Sequence, residues 1–151
     1  MSINIIAKNK KAYFDYEIIE KFEAGLVLQG SEVKALRAKR ANLKDGYCRF
    51  IKDELFLMNV HIAHLNTANS HYTPDSRTPR KLLLHKKQLN KIFIKMGREA
   101  LTVVPLMIYF NEKNFAKISI GLAKGKKLHD KRADLKKKTL DREAKQAMKF
   151  R

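Results

Sequence analysis

The run Cys48 to Ile62, CRFIKDELFLMNVHI, decides the fold class. Cys48 and Phe50 alternate with Arg49 and Ile51, the period of two that suits a half-buried strand. Asp53-Glu54 then turns the chain, and Phe56, Met58, Val60 and Ile62 share one face of the returning strand. The run predicts a β-hairpin, introduced by a turn at Asp45-Gly46. Upstream, Phe22, Ala24, Leu26 and Leu28 alternate along Ile18 to Leu28, a longer strand in which Gly25 suggests a bulge or bend. Ile3 to Ile6 predicts a first strand, and Lys8, Lys10 and Lys11 a basic loop after it.

Two helices interrupt the strands. Gly30 ends the long strand and Ser31 is placed to cap a helix. Glu32 falls in its first turn, where the helix dipole favours negative charge. Val33 and Leu36 form an apolar stripe beside a basic one of Lys34 and Arg37, in a helix ending near Asn42. Asn66 to Arg80 holds two of the three prolines and predicts a loop. A second helix is expected from about Arg80 to Lys95, with Leu82, Leu89, Phe93 and Met96 at helical spacing and Gly97 closing it. Leu101 to Phe110 and Phe115 to Leu122 predict two further strands around a turn at Asn111 to Asn114, with Pro105 on an edge or in a bulge. Roughly six short strands with inserted helices favour a small closed barrel, because closure removes exposed strand edges, and the oligonucleotide-binding (OB) type leads.

The 151 residues suit one domain with an appendage, expected as 1–123 and 124–151. An apolar share of 44% supports a core without disulfides or metal, and the single Cys48 points to a reducing compartment. The start has no signal-peptide order, and Leu101 to Phe110 is far too short to span a bilayer, so a cytoplasmic protein is expected. Charge is the outlier, with 33 Lys and Arg against 15 Asp and Glu, a net of +18 that attracts polyanions, nucleic acid first. From Lys124 onward there are twelve Lys or Arg against four Asp or Glu, with few large apolar residues. That composition predicts an arm disordered when free and ordered by an anionic partner. It also lacks the Trp, Phe and Leu content of a membrane-surface helix.

Catalytic signals are weak. His61 and His64 on a strand would face opposite sides, so a shared metal is not expected. Cys48 reads as a small core residue, and GLAKGK at Gly121 to Lys126 is one residue short of a phosphate loop, with Lys127 where Ser or Thr would hold magnesium. No catalytic residue, metal or cofactor is expected. Three basic regions, Lys34 to Lys44, Arg80 to Lys95 and Lys124 to Arg151, instead offer phosphate contacts, and His85 or His129 an imidazole for stacking on an unpaired base.

LQGSEVKALR at Leu28 to Arg37, RKLLLHK at Arg80 to Lys86 and GLAKGKKLHDKR at Gly121 to Arg132 resemble the SmpB, or SsrA-binding (tmRNA-binding), protein family of bacteria. NKKAYFDYEI and EAGLVLQG extend the resemblance over essentially the whole chain, with Ala35 where Ser is more usual. The resemblance implies an OB-type barrel with about three helices and no enzymatic activity. It implies binding to the tRNA-like domain of tmRNA (SsrA RNA), charging by alanyl-tRNA synthetase, delivery with EF-Tu, and trans-translation on stalled ribosomes. Glu32, Lys34, Arg37, Arg80, Lys81, Leu83 and His85 are the implied tmRNA-binding residues. Lys126, Lys127, His129, Asp130, Lys131 and Arg132 are the implied contacts to small-subunit ribosomal RNA at the decoding centre. Lys136, Lys137, Lys138, Arg142, Lys145 and Lys149 would follow as a helix in the empty messenger channel. The alternative is a ribosomal or RNA-chaperone protein that binds structured RNA without a role in rescue.

Overall fold

The computed structural model describes residues 3–64 and 76–126. In chain order the elements are β1 (Asn4–Lys8), α1 (Lys10–Asp15), β2 (Tyr16–Leu26), α2 (Gly30–Arg37), β3 (Ala41–Asn42), β4 (Tyr47–Ile51) and β5 (Glu54–Met58). They continue with β6 (His61–Ile62), β7 (Arg80–Leu83), α3 (Lys86–Glu99), β8 (Thr102–Phe110) and β9 (Ala116–Gly125). The main sheet runs β1-β8-β4-β5-β7-β2-β9, and β9 pairs back onto β8. Six antiparallel strands therefore close into a ring, with β1 as an extra strand on β8, and β3 and β6 form a separate ribbon. The long strand β2 alternates as read, turning Phe22, Ala24 and Leu26 into the ring and Lys21, Glu23 and Gly25 outward.

The hairpin exists, but its second strand is out of phase with the expectation. Its two-residue turn is Lys52-Asp53, both left-handed (φ 50° and 65°), so that Ile51 pairs with Glu54. Leu55 and Leu57 are fully buried, whereas Phe56 and Met58 are only half-buried. The left-handed Asn59 (φ 56°) shifts the phase, and Val60 and Ile62 rejoin the core. A run that is apolar on both faces cannot show which parity faces inward; the pairing partners decide it.

Other boundaries move for similar reasons. Arg80 to Leu83 is strand β7, pairing with β2 and β5, and the helix expected from Arg80 begins at Lys86. It continues past Gly97 and ends at Ala100, which is left-handed (φ 53°). Its inward contact is Ile92, with Leu89 and Met96 against the core, while Phe93 packs edge-on against Phe50 at 5.3 Å. Glu20 on β2 receives Lys91 at 2.6 Å and Lys95 at 3.1 Å, tying α3 to the sheet. The Lys91 hydrogen bond, more than Lys95, holds the Glu20 carboxyl below the usual carboxylate range. The stretch expected as a basic loop contains α1, because Asn9 caps it by accepting from the Ala12 amide. Asn9 Nδ2 also donates to the carbonyls of Pro105 and Leu43. Helix α1 covers a second small core of Ala12, Val104, Leu106 and Ala123, so β8 is buried on both faces. Pro105 sits beside a register shift in β8, the bulge foreseen for it, within a strand flanked on both sides.

Gly46 is a tight point. A Cβ there would lie 2.4 Å from Val60 Cγ2 and 2.9 Å from Pro105 Cγ. Gly46→Ala should cost about 1–3 kcal/mol, read as a lowered midpoint in urea unfolding with an unchanged slope.

Candidate nucleic-acid interface

On the outer face of the ring, strand pairing sets four residues in a row. Leu83 of β7 lies opposite Gly25 of β2, Gly25 opposite Lys117 of β9, and Lys117 opposite Tyr109 of β8. Here Gly25 forms no bulge, because its pairing is regular. It supplies space instead: a Cβ would come within 3.3 Å of Leu83 Cβ. The result is a groove of about 310 Å³ lined by Glu23, Gly25, Leu83, Leu84, His85, Gln88 and Lys117. Leu83 is 53% exposed, an apolar side chain on a charged surface. His85 is the N-cap residue of α3, yet its imidazole makes no capping hydrogen bond and lines the groove. The groove therefore combines an apolar floor, an imidazole and a cation, the set that holds an unstacked base beside its phosphate.

The implied binding residues divide by side of the strand. Leu83 and His85 reach the groove. Lys81 shares the outward parity of Leu83 and pairs with Glu54. Lys34 and Arg37 are exposed on α2; Arg37 lies 4.6 Å over the Phe110 ring and donates to Asn114 Oδ1, in the turn just before Lys117. Glu32 and Arg80 point inward and are each 3% exposed. Strand parity explains Arg80, because β7 reads buried-exposed-buried-exposed from Arg80 to Leu83.

The buried pair has its own logic. Arg80 Nε donates to Glu32 Oε2 at 2.5 Å, and the guanidinium also donates to the carbonyls of Val60, Ile62 and Ser76. Glu32 Oε1 accepts the Gln29 amide at 2.9 Å, which caps α2 in place of the expected Ser31. Ser31 Oγ instead meets His64 Nδ1 at 2.8 Å, and His64 Nε2 lies 3.9 Å from Glu32. His61 Nδ1 meets a different hydroxyl, Ser76 Oγ, at 2.9 Å. The first turn of α2 thus anchors both His64 and, through Arg80, Ser76. Glu32 is almost wholly shielded from solvent; it holds Arg80, which holds the start of β7. Cys48 is buried, and burial pushes its thiol up, as for a core residue.

A second cleft of about 320 Å³ adjoins the first. It is lined by Lys8, Lys10, Tyr13, Lys21 and Ser119 over Leu106 and Met107, and Ser119 is the β9 partner of Glu23, which lines the first groove. Lys21 Nζ stands 5.4 Å from the centre of the Tyr13 ring, which is half exposed. Lys117 and this cleft were not among the residues expected from sequence. The alternation of β2 placed Glu23 and Gly25 outward, but nothing local says that β7 and β9 flank them.

The sequence model of the family described as SmpB protein matches residues 6–150. The chain belongs to the SmpB family. It is 73% identical to the SsrA-binding protein of Sulfurovum sp. over 100% of this chain and 99% of the relative. The SsrA-binding protein of Nitratiruptor sp. is 59% identical, covering 97% of this chain and 98% of that one. A solved structure described as "tmRNA-SmpB: a journey to the center of the bacterial ribosome" matches with a TM-score of 0.66 at 46% identity, covering 81% of this chain and 85% of that one. Within this SmpB-family chain, β9 runs through Gly125, past the domain boundary expected after Ala123, and the Lys126 amide donates to Asp15 O at 3.0 Å. The remaining implied ribosome contacts, Lys127, His129, Asp130, Lys131 and Arg132, and the tail cations from Lys136 to Lys149 lie outside the described residues.

Proposed function

We propose that this protein binds the tRNA-like domain of tmRNA through its folded body and carries it to stalled ribosomes for trans-translation. The observation that carries the reading is the groove itself: exposed Leu83 and His85 beside Lys117, on a chain 73% identical to an SsrA-binding protein. The six-strand ring with its inserted helices corresponds, in this reading, to the OB-type barrel of the family. Its role is that of an adaptor, with no reaction chemistry of its own. Charging of the RNA by alanyl-tRNA synthetase and delivery by EF-Tu act through the shared RNA, in the cytoplasm. The basic residues after Lys126 then meet the decoding centre and the vacant messenger channel. A channel filled by messenger RNA excludes such an arm by volume and by competition of like charges. A cleared channel lets counterion release favour its ordering.

Competition binding tests the RNA half. The tRNA-like domain should displace labelled tmRNA at least ~100-fold more effectively than an unrelated structured RNA of equal length, a gap within the range of specific over nonspecific binding. Equal displacement would favour the ribosomal or RNA-chaperone alternative. Leu83→Ala and Lys117→Ala should each weaken binding about 5- to 50-fold, roughly one stacking or charge-assisted contact, with unchanged melting because both side chains lie outside the buried core.

A further inference from the structure

Helix α3 uses two of its faces in the fold and leaves a third bare. Leu89, Ile92 and Met96 face the core, and Lys91 and Lys95 on one flank close on Glu20. The other flank carries Asn90, Phe93, Ile94 and Gly97, which the helical repeat sets side by side at intervals of three and four residues. Phe93 is 56% exposed and Ile94 52%, two bulky apolar side chains in succession on a strongly basic chain. Beside them, between α3 and the β4–β5 turn, opens a cavity of about 410 Å³ lined by Phe50, Asp53, Lys86, Leu89, Asn90 and Phe93. Asp53 and Lys86 have no ion-pair partner among the described residues. Gly97 is the odd member of this flank, because glycine is the poorest helix former after proline. It lies inside α3, its φ is not left-handed, and a Cβ there would meet no atom of the described chain within 4 Å. Neither the backbone nor internal packing calls for a glycine at that position.

We propose that this flank of α3 docks an amphipathic helix of a protein partner met on the stalled ribosome, crossing at Gly97. A bare backbone beside exposed apolar side chains lets a second helix approach closely, since the side chains at a crossing set the distance between helix axes. A bulky apolar side chain of the docked helix fills the cavity between Phe50 and Phe93, and Ile94 packs beside it. The unpaired Asp53 and Lys86 fix its direction, one meeting a Lys or Arg and the other an Asp or Glu. An RNA strand gains little from an aliphatic Ile94 and a missing side chain, which neither stack on a base nor neutralise a phosphate. His85 lines the groove and Lys86 the cavity, so bound RNA and docked protein are neighbours across the start of α3. The inference rests on the proposed ribosomal role for where the partner is met.

The test places p-benzoylphenylalanine at position 94 of the full chain, in a reconstituted translation system with tmRNA and ribosomes stalled on a message without a stop codon. Irradiation should give an adduct that survives ribonuclease, and mass spectrometry should place it on an amphipathic helix of one protein of the system. Gly97→Gln should reduce that adduct about tenfold or more, the scale of a disrupted contact at the centre of an interface. The same variant should melt at an equal or higher temperature, since a better helix former replaces glycine. Its affinity for the tRNA-like domain should stay within about threefold of wild type. Gly97→Ala, which adds only a Cβ, should lose less of the adduct than Gly97→Gln. An adduct removed by ribonuclease would assign the flank to RNA, and an adduct between two copies of the chain would assign it to self-association; either overturns the proposal. So does the absence of any adduct, or an adduct that Gly97→Gln leaves unchanged. The two readings fail separately. A missing adduct with tight binding of the tRNA-like domain and intact tagging removes the docking surface alone. Equal displacement by unrelated RNA, with the adduct still formed, removes the tmRNA reading alone.

Discussion

Glu32→Ala should lower the melting temperature by roughly 10 °C or more, because removing one partner of a buried ion pair costs about 3–5 kcal/mol in a chain of this size. The side chain of Glu32 is 4% exposed and that of Arg80 2%. Removing the carboxylate leaves the guanidinium buried without its counter-charge and the Gln29 amide without its acceptor. Glu32→Gln keeps shape and acceptor and should cost less. Arg80→Met should cost at least as much as Glu32→Ala, because the carbonyls of Val60, Ile62 and Ser76 lose their donor along with Glu32. Thermal melting followed by circular dichroism gives the order. RNA affinity, measured where each variant is still folded, separates architecture from contact. Folded Glu32→Gln should bind the tRNA-like domain within about threefold of wild type, the scale of a change outside the contact surface. A Glu32→Gln protein with wild-type melting and strongly weakened RNA binding would show that the carboxylate itself faces the RNA, against its placement here. Loss of RNA binding in Glu32→Ala is expected to follow from loss of the body that presents Leu83 and His85.

A chain ending at Lys126 should bind the tRNA-like domain within about threefold of full length, the scale of a change outside the contact surface, and support no peptide tagging on stalled ribosomes. The groove residues lie within 23–117 and keep all their neighbours. The place of the cut matters. Ending after Ala123 would remove the pairs Tyr16–Gly125 and Glu17–Lys124 and the Lys126–Asp15 hydrogen bond, loosening β2 and β9 at the end where α1 packs. A cut after Lys126 preserves those bonds, so its effect reports on the tail alone. The readouts are RNA affinity at fixed moderate salt and tagging in a reconstituted translation system on a message without a stop codon. Retained tagging would remove the tail from the mechanism, and joint loss of affinity and tagging would remove the division between body and tail.

Local pattern made the β-rich class, the long alternating strand with Phe22, Ala24 and Leu26 inward, the β8–β9 pair and the bulge at Pro105 legible in the residues alone. These rest on period-two alternation and on the missing amide of proline, which act within a few residues. The basic tail and the attraction to polyanions were equally plain, since net charge needs no fold. Tertiary structure decided the inward parity of β5, because Leu55 to Met58 is apolar on both faces. It also decided that Arg80 opens a strand, since propensity in a stretch as short as RKLLL is outweighed by pairing with β2 and β5. Most of the candidate site belongs to this second class. Leu83, Gly25, Lys117 and Tyr109 come from four strands distant in sequence, and only ring closure aligns them. Glu32 and Arg80 are 48 residues apart, and their burial against each other turns two apparent surface charges into the brace beneath that surface.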